Sequence, residues 1–143
     1  MFDLIYRDGT PINAGHYEGL KTDGTEYKLG QAVSLENGVA KKCGGASNTK
    51  KVYGIVAEAA SAADDTVLVL KVEKDMIFKT RISGDASHIQ AIYTGMKLAI
   101  GAEDYASAVA AAATLGDDYV GVTVANALEA SADGDLIEVR FEN

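Results

Sequence analysis

Gly30-Gln-Ala-Val33-Ser-Leu35 and Gly95-Met-Lys-Leu98-Ala-Ile100 open two stretches that carry the same landmarks in the same order. After the first glycine and its short apolar strand, each stretch reaches a second glycine inside a β-branched run. These runs are Val52-Tyr53-Gly54-Ile55-Val56 and Tyr119-Val120-Gly121-Val122-Thr123. An alanine-rich link follows, Ala57 to Ala63 in one and Ala125 to Ala132 in the other. An acidic turn, Asp64-Asp65 or Asp133-Gly134-Asp135, then feeds a last strand that begins at Val67 or Leu136. The interval between matched glycines is two residues longer in the second copy, which a surface loop absorbs at little cost. The pattern predicts a duplicated unit, with copies at about 30–72 and 95–139.

Working outward, the signals are those of strands. Val33 and Leu35 alternate with small residues, and Asn37-Gly38 is the strongest short hairpin signal in the chain. Thr66 to Val72 is apolar on both faces and predicts a strand buried on both sides. Met76 to Ile82 places Met76, Phe78, Thr80 and Ile82 on one face. Ala102 to Ala112 combines the best helix former with acidic residues at its start, which predicts one short alanine-rich helix, with a strand as the alternative. Gly54 and Gly121 fall mid-strand, where glycine marks a bulge or a close backbone approach. Together these features predict an all-β fold, a β-barrel or sandwich with internal duplication, over residues 30–143.

Residues 1–29 differ from the rest. Asp8-Gly9, Pro11, Asn13, Gly15, Gly19 and Asp23-Gly24 are dense turn signals, and only Phe2, Leu4, Ile5 and Tyr6 make an apolar run. This predicts an extended N-terminal arm with an apolar tip, lying either on its own domain or on a neighbouring subunit.

Length and composition bound the remaining possibilities. A chain of 143 residues is the size of one domain with a sizeable core. A formal charge of −8 argues against a nucleic-acid partner, because phosphate affinity needs clustered Lys and Arg, and the one basic cluster, Lys41-Lys42 with Lys50-Lys51, flanks a glycine loop. The lone Cys43 forms no intrachain disulfide and fits a reducing compartment or assembly inside a cell. The N-terminal residues lack the basic-then-apolar pattern of a signal peptide, and no apolar run approaches a membrane span.

Candidate chemistry is sparse. Ser83, Asp85, Ser87 and His88 resemble a triad in composition but lie within one turn, where such side chains bond their own backbone. The acidic pairs precede strands and lack calcium-loop spacing. No catalytic, cofactor-binding or metal-binding residue is therefore assigned, and the chain is not expected to be an enzyme. The residues singled out for partner binding are Phe2, Leu4, Ile5, Tyr6 and Tyr17 in the arm, with Gly44, Gly45 and Tyr105 in the two loops where the copies differ. The loops at Gly44-Gly45 and Ala102 to Thr114 are expected at equivalent places.

The order Gly30-x-x-Val33-x-Leu35, hairpin, Tyr53-Gly54-Ile55-Val56, alanine link, acidic turn, Val67-Leu68-Val69, closing with Ala132-Asp-Gly-Asp-Leu-Ile-Glu-Val-Arg-Phe141, resembles the small β-barrel decoration or cement proteins of tailed-bacteriophage capsids. The resemblance implies a non-enzymatic protein on the outer surface of the virion capsid, assembled in the host cytoplasm. It further implies a homo-oligomer, commonly a trimer, that bridges capsomers through contacts with the major capsid protein. The alternatives are a head-fibre or tail-associated host-adhesion domain, or a β-clip type enzyme or regulatory domain.

Overall fold

The computed structural model describes residues 1–7, 10–11, 15–44, 51–108 and 121–141. The fold is mainly β, in two sheets with duplicated topology and one very short helix among the described residues. The first set comprises β3 (Tyr17–Lys21), β4 (Ala32–Glu36), β5 (Val39–Lys42), β6 (Gly54–Val56) and β7 (Thr66–Lys71). These pair in the order β3-β5-β4-β6-β7 and close on themselves. The second set comprises β8 (Met76–Ser83), β9 (Lys97–Ile100), β10 (Ala106–Ser107), β11 (Val122–Asn126) and β12 (Leu136–Phe141). It pairs as β10-β9-β11-β12-β8, and β10 also pairs with β8. Strand for strand the circuits match. Each has one parallel seam, β3 with β5 or β8 with β10, and antiparallel pairs elsewhere.

The duplicated unit therefore begins earlier than the landmarks suggested. Residues 17–21, assigned to an arm ending at Leu29, form the strand that closes the first circuit. β1 (Asp3–Arg7) adds to the edge of β8, and β2 (Thr10–Pro11) adds to β1. Phe2 is 2% exposed and packs edge-on to Phe141, which in turn meets Phe78. Such T-shaped pairs are a preferred aromatic geometry, so Phe2, the first apolar residue of the arm, is spent on this chain's own core.

Equivalent hydrogen bonds identify equivalent residues. Gly30 N–H donates to Val56 O and Val56 N–H to Gln31 O; Gly95 N–H donates to Val124 O and Val124 N–H to Met96 O. Gly30 thus matches Gly95, as expected. The second pair of glycines does not match. Val33 faces Gly54 across β4 and β6, whereas Leu98 faces Val122, so Gly121 stands one residue outside the position assigned to it. At Gly54 the close approach is real: a Cβ there would lie 2.5 Å from Leu70 O.

Local chemistry explains most elements. Asn37 and Gly38 have φ of 51° and 78°, the two positive values that a type I′ hairpin turn demands. β8 buries Met76, Phe78, Thr80 and Ile82, as its alternation predicts. β7 is not buried on both sides throughout. Val67 and Val69 face the first circuit's interior, and Leu70 is covered, but Leu68 is 37% exposed because the covering elements reach only one end of that face. The helix is also elsewhere than expected. It is α1 (Ala86–Ile89), one turn capped by Asp85, while Ala106–Ser107 is strand β10; residues 109–114 of the alanine-rich stretch lie outside the described residues.

Two apolar clusters result. Leu20, Tyr27, Val33, Ala40, Val56, Ala60, Val67 and Val69 fill the first circuit. The larger cluster fills the second and continues into the joint between them through Ala32, Cys43, Val52, Ile55, Leu70 and Val72. The outer face of the first copy is thus partly the inner wall of the joint.

Candidate partner-binding surface

That outer face is built by register. Tyr17, Leu70 and Ile55 stand side by side across β3, β7 and β6, and Gly19 and Leu68 form the next row. Ala57 N–H donates to Leu68 O at 2.9 Å and extends the row. Ile55 and Leu70 are buried by the rest of the chain, whereas Tyr17 (48%) and Leu68 are exposed. Beside them lies a groove of about 220 Å³ lined by Phe2, Leu4, Tyr17, Leu29, Ile55 and Leu70 among others, with Leu29 53% exposed at its rim. Nothing lies within 4 Å of a Cβ placed on Gly19, so the backbone there is open to close approach.

Three of the residues expected to bind a partner, Phe2, Leu4 and Tyr17, meet in this groove, Phe2 as its buried floor. Ile5 is half-buried in β1, and the Tyr6 side chain and Gly45 lie outside the described residues. Gly44 and Tyr105 belong to a different place. The connection from Gly101 to Tyr105 joins β9 to β10, so it corresponds to the Asn37-Gly38 turn rather than to the Gly44-Gly45 loop. The two loops nevertheless touch: a Cβ on Gly44 would lie 3.1 Å from the Ala102 carbonyl carbon. Ala32 N–H donates to Glu103 O at 2.6 Å and Thr80 Oγ1 to Asp104 O at 3.2 Å. Through Ala32 and Gly44 these loops fasten one copy to the other, while Thr80 ties the Asp104 backbone within the second. Leu29 and Leu68, which complete the surface, escaped sequence reasoning; each is a leucine bordered by residues that are ordinary in a core strand or turn.

Polar clusters elsewhere have local roles. Asp85 accepts from Ser87 Oγ at 2.6 Å, from His88 N–H at 3.1 Å and is 2.7 Å from His88 Nδ1. The Ser87 hydroxyl and then His88 hold its carboxyl down to about 2, which is the behaviour of a helix cap. Tyr27 is fully buried, and its single hydroxyl proton lies between two acceptors, Ala40 O at 2.8 Å and Asp23 Oδ1 at 2.7 Å. Partial burial pushes the Asp23 carboxyl up, but hydrogen bonds from Thr25 and Tyr27, with Lys41 3.7 Å away, outweigh it and hold the group at about 2. At the other mouth of the first circuit, the Tyr53 hydroxyl donates to Glu18, and that bond lowers the carboxyl's pKa and raises the phenol's. Both pairs plug the ends of the interior.

Asp64 accepts from Ser61 N–H at 2.7 Å and Asp135 from Ala132 N–H at 3.0 Å, so the acidic residues before β7 and β12 shape the same turn in each copy. Among the described residues no group of three or more His, Cys, Asp or Glu is placed to hold a metal ion, and no helix is long and apolar enough to cross a membrane. No protein-family model matches the chain, and no curated protein matches it.

Proposed function

We propose that this protein is a non-enzymatic capsid decoration protein of a tailed bacteriophage. It binds the outer surface of the shell through the major capsid protein and stabilises the shell by bridging capsomers. The observation that carries the reading is the uncovered apolar face of the first copy, Tyr17, Leu68 and Leu29 around the groove, on a chain whose formal charge is −8. Contiguous apolar surface bordered by charge is the mark of a protein contact. The two small closed circuits suit the compact β-barrel build that the resemblance implies. A protein that binds only the assembled shell stabilises it by mass action, about 2.7 kcal/mol per site at a hundredfold excess over Kd.

The test is to add the purified chain to undecorated shells of the phage that encodes it, sediment them, and measure shell melting. The expected result is co-sedimentation and a raised melting temperature. A Tyr17→Asp/Leu68→Glu variant should stay folded by circular dichroism, because both side chains are half exposed, and should lose binding. Shells that bind none of the wild-type protein across the micromolar range would sink the reading.

A further inference from the structure

Matching the circuits strand for strand leaves β1 without a counterpart. β3 and β8 are equivalent: β7 lies along β3 as β12 lies along β8, and the parallel partner meets each near its C-terminal end, at Lys21 or at Ile82 and Ser83. Since β12 takes one edge of β8, β1, which pairs with Met76 to Lys79, shares the other edge with β10. The register that equates Gly19 with Lys79 makes His16 to Gly19 the same stretch of β3. Among the described residues no strand pairs with it on that edge.

Ladder alternation says which backbone groups are left over. Thr22 N–H donates to Asp65 O and Lys71 N–H to His16 O, so the even-numbered residues of β3 exchange their bonds with β7. The N–H and C=O of Tyr17 and Gly19 therefore point away from β7, into the open edge. Lys21, next in that series, is the residue that meets β5. On β8, Ile82 N–H donates to Asp135 O, and by the same alternation Ile77 and Lys79 turn their groups toward β1. Tyr17 and Gly19 are both exposed. Such edge groups are a template for a further strand. The side chains along the edge state what it should carry. On β8, Asp3 stands opposite Lys79 and Leu4 opposite Phe78, charge on opposite charge and apolar on apolar. On β3, Tyr17 and Gly19 belong to the outward rows with Leu70 and Leu68, and Glu18 lies between them on the other face. The complementary strand has apolar side chains opposite Tyr17 and Gly19 and a basic one opposite Glu18.

We propose that this edge of β3 accepts, as an added antiparallel strand, an extended segment of the major capsid protein that alternates apolar, basic and apolar side chains. The inference rests on the shell-binding reading above and deepens it. The edge is continuous with the apolar groove, because Tyr17 belongs to both. Side chains in the groove supply contact area, and the backbone of Tyr17 and Gly19 fixes the register of the partner. The chain's own arm is not the occupant, since β1 is held on β8.

The experiment adds wild type, Gly19→Ala and Gly19→Pro to undecorated shells of the phage that encodes the chain. Proline removes the outward N–H of residue 19 and leaves the bonds of Glu18 and Leu20 to β7 in place, and an edge strand accommodates it in that setting. Gly19→Ala keeps the N–H, has open space for its methyl group, and should bind as wild type does. Gly19→Pro, folded by circular dichroism, should lose affinity by about tenfold or more. Amide exchange is a second readout that needs no variant, and it decides alone should the proline chain unfold. The N–H groups of Tyr17 and Gly19 should exchange freely in the free chain and become protected on shells. If wild type binds and stabilises shells while folded Gly19→Pro binds equally, or while both amides exchange as in the free chain, the added strand is overturned and the shell-binding reading stands. Wild type that binds no shells overturns both. Protection of the two amides already in the free chain, lost on dilution, would assign the edge to a second copy and overturn the proposal.

Discussion

The two copies agree at most interior positions, Leu20 against Thr80 being an exception, and disagree at most outer ones. Val33, Val56, Val67 and Val69 of the first copy correspond by register to Leu98, Val124, Ile137 and Val139 of the second, apolar for apolar. On the outward faces, Gly19, Ala32 and Leu70 correspond to Lys79, Lys97 and Arg140. Interior positions answer to one requirement, filling a small closed circuit at interior packing density. Outer positions answer to what lies next to them. In the first copy that is the second copy, Phe2 and an uncovered apolar remainder; at Lys97 and Arg140 of the second it is water. The difference teaches that the joint and the candidate binding surface are one apolar face, divided by how far the chain's own covering extends.

The sharpest way to break this comparison is to exchange the faces. Leu70 is 6% exposed, and Leu70→Arg would bury an unpaired guanidinium in the joint. The expected cost is about 3–5 kcal/mol, read as a large fall in the denaturation midpoint. The converse change, Arg140→Leu at an exposed position, should alter stability by no more than about 0.5 kcal/mol. Equal effects at the two positions would show that the faces do not differ in the way described.

A smaller effect is expected at the place where the glycine match failed. Gly54 approaches β7 so closely that a methyl group would press on Leu70 O. Gly54→Ala should therefore cost roughly 1–3 kcal/mol by overpacking. The equivalent position in the second copy already holds Val122, fully buried, so Val122→Ala should cost only by lost burial, about 1 kcal/mol or more for the two missing carbons. Urea unfolding of the two variants side by side checks both. A tolerated alanine at Gly54 would mean that β6 and β7 can separate there without loss.

How much of this was legible follows from the length scale of each signal. The hairpin at Asn37-Gly38 and the alternation of β8 are carried by neighbouring residues, and both stand as expected. The duplication was legible because Gly30 and Gly95 occupy the same hydrogen-bonded corner. The strand that closes the first circuit was missed because Tyr17-Glu-Gly-Leu-Lys21 buries only Leu20 and carries a glycine in its centre, so it has no strand period to read. Phe2 was assigned to a partner because one aromatic residue has no periodicity at all; its burial depends on Phe141 at the far end of the chain. The uncovered surface was half visible, through Tyr17 and Leu4. Leu68 was hidden, since a strand apolar on both faces gives no sign of where its cover stops.

The least effect, and the finest test of the comparison, concerns the plug at one mouth of the first circuit. Tyr27 is buried with its hydroxyl between Ala40 O and Asp23, so Tyr27→Phe keeps the ring and removes the shared donor. Leaving the Ala40 carbonyl and a carboxylate oxygen without that donor should cost about 1–2 kcal/mol near neutral pH. The pH dependence has a definite sign. Asp23 ordinarily titrates at 3.8 and is held at about 2 in the folded chain, so its contribution is complete above 3.8 and is lost as pH falls toward 2. The Tyr27 phenol is raised above its ordinary 10.0, first by burial and then by the bond to Asp23, so its contribution is present below 10 and is lost as pH rises through the folded value. The substitution should therefore flatten both edges of the stability profile: the acid edge in part, because Thr25 still donates to Asp23, and the alkaline edge by the whole Tyr27 contribution. Urea midpoints measured from pH 2 to 11 give the answer. A variant whose acid edge keeps the wild-type slope would show that the Tyr27 hydroxyl does not hold Asp23 in solution.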